Sequence, residues 1–419
     1  MSVAVAVQAD VAPPRRVLSI DLLRGFDVLL MLFVNEVAGV RGAPAFLLHV
    51  PRDADGMTIT DLVFPAFLFI LGMAIPFALG GRVRRGEPVR SILRHVAART
   101  FALLVIGVLM VNVDHAGPDG PLSPALWNVL MTAAVVVTWP APAAEPERRR
   151  RQRALQAVGV GALLVLALLY RGEGVAGIVQ IRPHWWGILG LIGWAYLVAA
   201  VLYLIVGDRP GTLTGFVALL YCVYLAEEAG GAAWLAVFRP LVHVGPTLGS
   251  HAAITVAGTA LGAMLARHRR DGGSERRFLL EALAFCAGLA AAGLMLHELR
   301  ELHRAFWIAK QGATVPWCLL SSAITGAVWV ALYAIVDLGG FRRLPPAVRI
   351  AGENALVAYL LAPMLLSLFA LSAPLFGGTN PYTSLGANTW IGLLRSAVFV
   401  WVVVRLCGLL QRSGVRMQL

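Results

Sequence analysis

The sequence predicts an all-α polytopic integral membrane protein, a helix bundle of about 12 (11–12) transmembrane helices with both termini cytoplasmic. Of its 419 residues, 58% are hydrophobic and only 14% are charged, whereas a soluble domain carries about a quarter of charged residues. Apolar runs close to the length of a membrane-spanning helix recur from one end of the chain to the other. Most of the arginines fall in the short loops between these runs.

Twelve apolar segments are long enough to be membrane spans. In chain order they are residues 20–39, 59–80, 92–113, 122–140, 154–171, 185–206, 212–230, 246–266, 278–297, 315–336, 350–371 and 389–410. The two weakest are 122–140, which prolines flank, and 212–230, which ends in Glu227 and Glu228. The loops are short, so the sequence leaves no room for a separate soluble domain.

The basic residues predict how the helices are oriented, because arginine and lysine concentrate in cytoplasmic loops. With the N-terminus inside, alternate loops place 22 basic residues in the cytoplasm and eight on the opposite side. The run RRRRQR at 148–153 then anchors the topology, and we expect no nucleic-acid partner despite the net charge of +12. We expect cytoplasmic tails at 1–18 and 412–419, and one membrane domain at 19–411. The expected location is the cytoplasmic membrane of a bacterium, where lipid surrounds the helices.

Charged side chains interrupt the first span, where an ionisable group indicates either function or pairing. Asp21, Arg24 and Asp27 are three residues apart, so the sequence predicts that they share one helix face and pair. This group is either an ion cluster that neutralises itself, or a site where Arg24 binds an anion such as a phosphorylated cofactor. Arg99 in the third span can add positive charge. Asn354 suits either the entrance of a polar ligand or a helix–helix hydrogen bond.

A second group of candidate residues lies at the far end of the first span. Asn35 is near the end of that span, His49 follows in the loop, and Asp61 begins the second span. A histidine near a carboxylate can act as a general base, although a solvated loop histidine is the simpler alternative. For Asp61, capping of the second helix together with Thr58 or Thr60 is as good an interpretation as catalysis.

Other polar residues have simpler interpretations. The stretch HELRELHR at 297–304 predicts an interfacial amphipathic helix rather than a metal site, and no other metal-type spacing occurs. His251 lies in an apolar span, where it is either a satisfied core histidine or part of a polar cavity. All four cysteines lie in apolar runs and are expected to be small buried side chains. They are Cys222, Cys286, Cys318 and Cys407.

Two N-terminal blocks of the sequence resemble a known family. They are RRVLSIDLLRGFDVLLMLFVN at 15–35 and DGMTITDLVFPAFLFILGMAIPFAL at 55–79, with His49 in the loop between them. Looser matches follow in KQGATVPWCLLSS at 310–322 and GENALVAY at 352–359. These segments resemble the heparan-α-glucosaminide N-acetyltransferase family and its bacterial relatives. Members of that family are polytopic enzymes that move an acetyl group from cytoplasmic acetyl-CoA to an amino sugar across the membrane.

The resemblance implies roles for three of the candidate residues. The family's proposed catalytic histidine corresponds to His49, its asparagine to Asn35 and its aspartate to Asp61. It also implies acetyl-CoA as the acyl donor and an extracytoplasmic saccharide or amine as the acceptor. From the spacing of the residues we expect no metal, and a homodimer is left open. Residues 51–55, PRDAD, depart from the family pattern, which has a tryptophan after the histidine.

We therefore predict a transmembrane acetyltransferase that holds the CoA phosphates near Arg24, Arg99 and Asn354 and uses His49 at the opposite end. One alternative is a secondary transporter of a small polar solute, because twelve spans with both termini inside is a common transporter plan. Against it, the chain shows no matching halves and no paired broken helices. The other alternative is a catalytically inactive relative that serves as an envelope scaffold.

Overall fold

The computed structural model describes residues 16–118, 120–142, 145–174, 177–341, 343–415 and 417. Within these residues the regular secondary structure is helical, so the predicted all-α class is confirmed. The α-helices are α1 (Leu18–Val37), α2 (Ile59–Arg84), α3 (Val89–Val113), α4 (Pro124–Thr138), α5 (Pro146–Leu169), α6 (Gly187–Val206), α7 (Pro210–Glu228), α8 (Ala252–Asp271), α9 (Glu275–His297), α10 (Val315–Leu332), α11 (Pro346–Glu353), α12 (Ala355–Ser372), α13 (Pro381–Ser384) and α14 (Thr389–Arg412). A π-helical stretch, Val244–His251, leads into α8, and another, Tyr333–Leu338, continues α10.

A helix lies at each of the twelve predicted spans. Among the described residues, ten helices are long and apolar enough to cross a membrane, so the chain is an integral membrane protein. The other two predicted spans correspond to α1, which carries several charges, and α4, which has 15 residues. The number of spans and the cytoplasmic termini remain predictions. Residues 1–15 of the predicted tail, and residues 416, 418 and 419, lie outside the described residues.

The predicted span at 350–371 is not one continuous helix. The chain breaks at Asn354, which ends α11 and begins α12 with a non-helical backbone (φ −124°, ψ 33°). The Asn354 side chain donates from Nδ2 to the carbonyl of Ile350 at 2.9 Å. Such a local side-chain bond competes with the backbone ladder of a helix and favours a break.

Helix α8 forms the centre of the bundle, with α2, α6 and α7 packed around it. Glycines on both helices allow the backbones of α2 and α8 to approach closely, as small residues do in membrane helix pairs. A Cβ atom added at Gly258 would lie 2.0 Å from the carbonyl oxygen of Phe69, and one added at Gly72 would lie 1.9 Å from that of Thr255. Both positions therefore require glycine.

We expect Gly258→Val to destabilise the protein strongly, because the side chain would force α2 and α8 apart. Overpacking a core costs about 1–3 kcal/mol or more, which would appear as a lower melting temperature in detergent. The matched control is Gly288→Val in α9, where an added Cβ meets no atom within 4 Å. Equal melting temperatures for the two variants would contradict the close approach of α2 and α8.

The loop between α1 and α2 is docked onto the segment that follows α9. Asp55 receives a hydrogen bond from the Ile308 backbone at 2.8 Å and contacts His297 Nε2 at 2.8 Å. The Gly56 N–H donates to the Ile308 carbonyl at 2.9 Å, and Arg304 donates to the Arg52 carbonyl at 3.1 Å. The PRDAD residues at 51–55, which depart from the family pattern, therefore fasten two distant loops together.

Two further sequence predictions are corrected by the fold. The stretch 297–304 is not an amphipathic helix: α9 ends at His297, and turns lead into a short 3₁₀ turn at Arg304–Phe306. Both ends of this stretch contact the docked loop, through His297 and Arg304. Cys222 is exposed on α7, of which only one face is buried, while the other three cysteines are buried as expected.

Candidate active site

One cavity contacts both groups of candidate residues. Its volume is about 690 Å³, and it lies among α1, α2, α3, α6 and α12. Five predicted site residues line it: Arg24, Asn35, His49, Arg99 and Asn354. Helix α2 lines it from Thr60 to Arg82, which at 1.5 Å per residue is about 33 Å. The cavity therefore extends over a length comparable to the hydrocarbon core of a bilayer.

The two ends of this cavity differ in chemistry. We call the end with Asn35, His49 and Lys310 the histidine end, and the end with Arg24 and Arg99 the basic end. Helices α1 and α2 run in opposite directions between them. The lining between the two ends is mostly apolar. The arrangement separates two arginines from a histidine by most of the cavity's length.

At the histidine end, His49 and Asp61 form a hydrogen-bonded pair. The distance from His49 Nδ1 to Asp61 Oδ1 is 2.7 Å, with the Asp61 side chain 2% exposed and that of His49 42% exposed. Because a carboxylate can only accept, Nδ1 carries the proton and donates it to Asp61. In the neutral ring, Nε2 is the proton acceptor, which is the arrangement of a general base and its orienting carboxylate.

Asp61 also caps helix α2. Its Oδ2 accepts from the backbone N–H groups of Thr58 at 3.1 Å and Val50 at 3.2 Å, and it completes a capping box with Thr58. Thr58 in turn donates from Oγ1 to the Leu48 carbonyl at 2.7 Å. Asp61 therefore both caps α2 and contacts His49, because each carboxylate oxygen has its own partners.

Asn35 and Glu36 point to different parts of the structure. Asn35 lines the cavity, and its amide has no hydrogen-bond partner within the part of the chain that the structure describes. Glu36 is buried outside the cavity, where it accepts a hydrogen bond from the Tyr382 hydroxyl. Arg395 lies over the Tyr382 ring at 4.3 Å. Of Asn35 and Glu36, only the Asn35 carboxamide is thus available at the histidine end.

Sequence reasoning missed Lys310 as a site residue. Its Nζ lies 3.2 Å from Nε2 and 3.3 Å from Nδ1 of His49, and it lines the same cavity. Two signals in the sequence could have identified it. Lys310 is the only lysine in the chain, and it begins the block KQGATVPWCLLSS.

At the basic end, the predicted cluster on α1 is only partly present. Arg24 Nη2 contacts Asp21 Oδ1 at 2.6 Å, and Arg24 Nε donates to the Gly352 carbonyl at 3.0 Å. The inclusion of Asp27 was wrong: it is buried, and its Oδ2 has no hydrogen-bond partner among the described residues. Six residues of α-helix rotate by about 600°, which is roughly 120° short of two full turns, so Asp21 and Asp27 cannot share a face.

Arg99 is only partly engaged by its surroundings. Its guanidinium lies over the Tyr196 ring, 4.7 Å from the centroid, and its buried Nε has no partner among the described residues. A half-buried guanidinium with an unused donor suits an anionic ligand.

Asn354 lines the cavity but uses both of its amide protons within the protein. They go to the Ile350 carbonyl and to Gln411 Oε1, each at 2.9 Å. The helix–helix hydrogen bond that the sequence left open is therefore present, between the α11–α12 break and α14. Its Oδ1 remains for a ligand.

A second cavity of about 570 Å³ adjoins the basic end. It shares Arg16 and Arg24 with the main cavity and is also lined by Arg343 and Arg349. Four arginines therefore surround the mouth of the basic end, opposed by Asp21 and Glu353.

The chain is similar to known membrane proteins. Residues 16–240 match the family model described as "Domain of unknown function (DUF5009)". The chain is 36% identical over 112 residues to heparan-alpha-glucosaminide N-acetyltransferase from Homo sapiens, which is 27% of this chain and 16% of that protein. It is 34% identical over 108 residues to the Mus musculus protein of the same name, 26% and 15% of the two chains. Because the family model covers more than half of the chain, this integral membrane protein belongs to the DUF5009 family and is related to heparan-α-glucosaminide N-acetyltransferase over the aligned segment.

Proposed function

We propose that the protein is a transmembrane acetyltransferase. It takes an acetyl group from cytoplasmic acetyl-CoA and transfers it to an amino sugar or other glycan acceptor on the opposite side of the membrane. The observation that carries this proposal is the single cavity with a basic end and a His49–Asp61 pair at its other end. The aligned relatives are N-acetyltransferases by name, which supports it.

The donor suits the basic end of the cavity. Acetyl-CoA supplies an activated thioester on a long arm and a nucleotide rich in phosphate. Arg24 and Arg99 would bind phosphate oxygens, together with Arg343 and Arg349 of the adjoining cavity. The volume of about 690 Å³ lies within the range of about 300–1,000 Å³ that is usual for ligand pockets.

The acceptor reacts at the histidine end. His49 Nε2 takes a proton from the incoming amine or hydroxyl as its nitrogen or oxygen bonds to the acetyl carbon. The carbon–sulfur bond breaks, and the proton passes from Nε2 to the CoA thiolate. Asp61 holds the ring in the required tautomer and stabilises its protonated form, while the Asn35 amide orients the acceptor or donates to the developing oxyanion. Transient acetylation of Nε2 is the other route open to the same residues.

Acetyl-CoA should raise the melting temperature of the purified protein. A ligand at 100 times its dissociation constant stabilises the folded state by about 2.7 kcal/mol. ATP at the same concentration is the control, since it carries phosphates but no pantetheine arm, and its shift should be smaller. An unchanged melting temperature with acetyl-CoA would favour the secondary transporter or the inactive envelope scaffold over the enzyme.

We expect Arg99→Gln to weaken acetyl-CoA binding by about tenfold, because a charged hydrogen bond contributes about 1.5–3 kcal/mol. Titration calorimetry or the thermal shift would measure it. Arg90→Gln is the matched control, since Arg90 is exposed at the start of the same helix and lies outside both cavities. If Arg99→Gln and Arg90→Gln bind equally well, the donor does not lie at the basic end.

A further inference from the structure

We propose that Lys310 is a catalytic residue of this site, whose ammonium donates a hydrogen bond to the acetyl carbonyl oxygen as negative charge develops there. This inference rests on the proposed function and adds a residue to its chemistry. Neither the catalytic histidine nor its aspartate supplies a positive charge to the carbonyl oxygen. The Asn35 amide, which can also donate to that oxygen, is neutral, and Lys310 is placed to supply a positive charge.

The position of Lys310 Nζ beside the imidazole does not block the proton-accepting Nε2 of His49. Nζ is almost equally far from the two ring nitrogens of His49, at 3.2 Å and 3.3 Å. An amine bound along the lone pair of Nε2 would be markedly farther from Nδ1. Lys310 Nζ therefore does not lie along the lone pair of Nε2. That lone pair can still accept a proton from the acceptor.

The contacts of Lys310 favour a role with substrate over a structural ion pair. Among the described residues it has no carboxylate within 4.0 Å, so no salt bridge holds it in place. Burial lowers the pKa of Lys310, while the negative charge of Asp61 opposes that shift. A partly desolvated ammonium is a strong donor to a developing oxyanion, because a water-poor site strengthens the interaction.

The backbone around Lys310 is fixed, so its side chain is presented to the cavity from a rigid turn. The Ala313 N–H donates to the Lys310 carbonyl at 3.1 Å. Thr314 Oγ1 accepts from the Ala309 N–H at 3.0 Å and donates to the Trp307 carbonyl at 2.6 Å. The same segment receives the docked Asp55, so the loop of His49 and the turn of Lys310 are held as one unit.

The electron flow is consistent with these positions. As the acceptor attacks, the carbonyl π electrons move to oxygen, where Nζ–H of Lys310 donates. The carbonyl then reforms, the carbon–sulfur bond breaks, and the thiolate takes the proton that His49 Nε2 removed from the acceptor. Lys310 keeps its own proton throughout.

The test uses the full-length protein with Cys222→Ser, which removes the exposed thiol. In this background, Lys310→Met, Lys310→Arg and Lys310→Cys are compared for release of CoA from acetyl-CoA with glucosamine or N-acetylglucosamine as acceptor. We expect Lys310→Met to lower kcat by about 10²–10³, as loss of an oxyanion donor does, with acetyl-CoA binding unchanged. We expect Lys310→Arg to keep part of the activity. Treating Lys310→Cys with 2-bromoethylamine rebuilds an ammonium at that position and should restore turnover.

The outcomes separate this inference from the function on which it rests. Wild-type kcat in Lys310→Met, or failure of aminoethylation to restore Lys310→Cys, would overturn the catalytic role of Lys310 alone. A lower melting temperature in Lys310→Met with no rescue would show a structural role and overturn it as well. If the unsubstituted protein releases no CoA with either acceptor and binds no acetyl-CoA, the proposed function itself fails.

Discussion

Replacing His49 with alanine is expected to lower acetyl transfer by a factor of about 10²–10⁴, the usual contribution of a general base. Because Nδ1 of His49 is bonded to Asp61, Nε2 is the nitrogen of this ring that can take the proton. If the acetyl group is instead carried on Nε2, the loss will be larger, because the covalent intermediate cannot form. The measurement is release of CoA from acetyl-CoA in the presence of a glycan acceptor.

The matched control is His243→Ala. His243 is exposed in the loop before α8 and does not line the main cavity, so this variant should keep wild-type turnover. The thermal shift with acetyl-CoA should persist in His49→Ala, because the donor's phosphates are expected at the basic end. Turnover equal to that of the wild type in His49→Ala would refute the assignment of the base.

Asp61→Asn is expected to lower turnover by up to the same factor of about 10²–10⁴, because asparagine in place of the aspartate of a triad leaves the histidine in the wrong tautomer. The amide can keep the hydrogen bonds from the Val50 and Thr58 backbones by presenting its oxygen to them. Its NH₂ group then faces His49 Nδ1 and drives the ring proton to Nε2. In that tautomer the histidine cannot accept a proton from the acceptor.

Thr58→Ala provides the comparison that separates capping from catalysis. It removes the capping hydroxyl, at a cost of about 1 kcal/mol of stability, and leaves the contact between Asp61 and His49. We expect a lower melting temperature with turnover largely kept, and the reverse for Asp61→Asn. If Asp61→Asn retains turnover and melts at a lower temperature, Asp61 is only a helix cap.

Part of the candidate site could be predicted from the sequence because its residues lie close along the chain. Asn35, His49 and Asp61 flank one loop, and alternation of the helices places Arg24 and Arg99 at the other end. Asp27 was wrongly grouped with Asp21. Each is three residues from Arg24, but they are six residues from each other, and helix rotation over six residues separates their side chains. The stretch 297–304 was misassigned because its periodicity carries no information on the loop that docks there.

The sequence by itself determined that this is a helical membrane protein, and where its helices lie. Length and apolarity of each segment are local properties, and a bilayer requires every backbone group of a span to be satisfied within a helix. Only the tertiary structure decided that the basic end and the histidine end share one cavity. It also decided that Lys310 contacts His49, although 261 positions separate them in the chain, and that residues 51–55 hold those two segments together. These contacts depend on which helices pack together. That choice is determined by how closely two helix surfaces fit, as at Gly258, and a local sequence pattern does not reveal it.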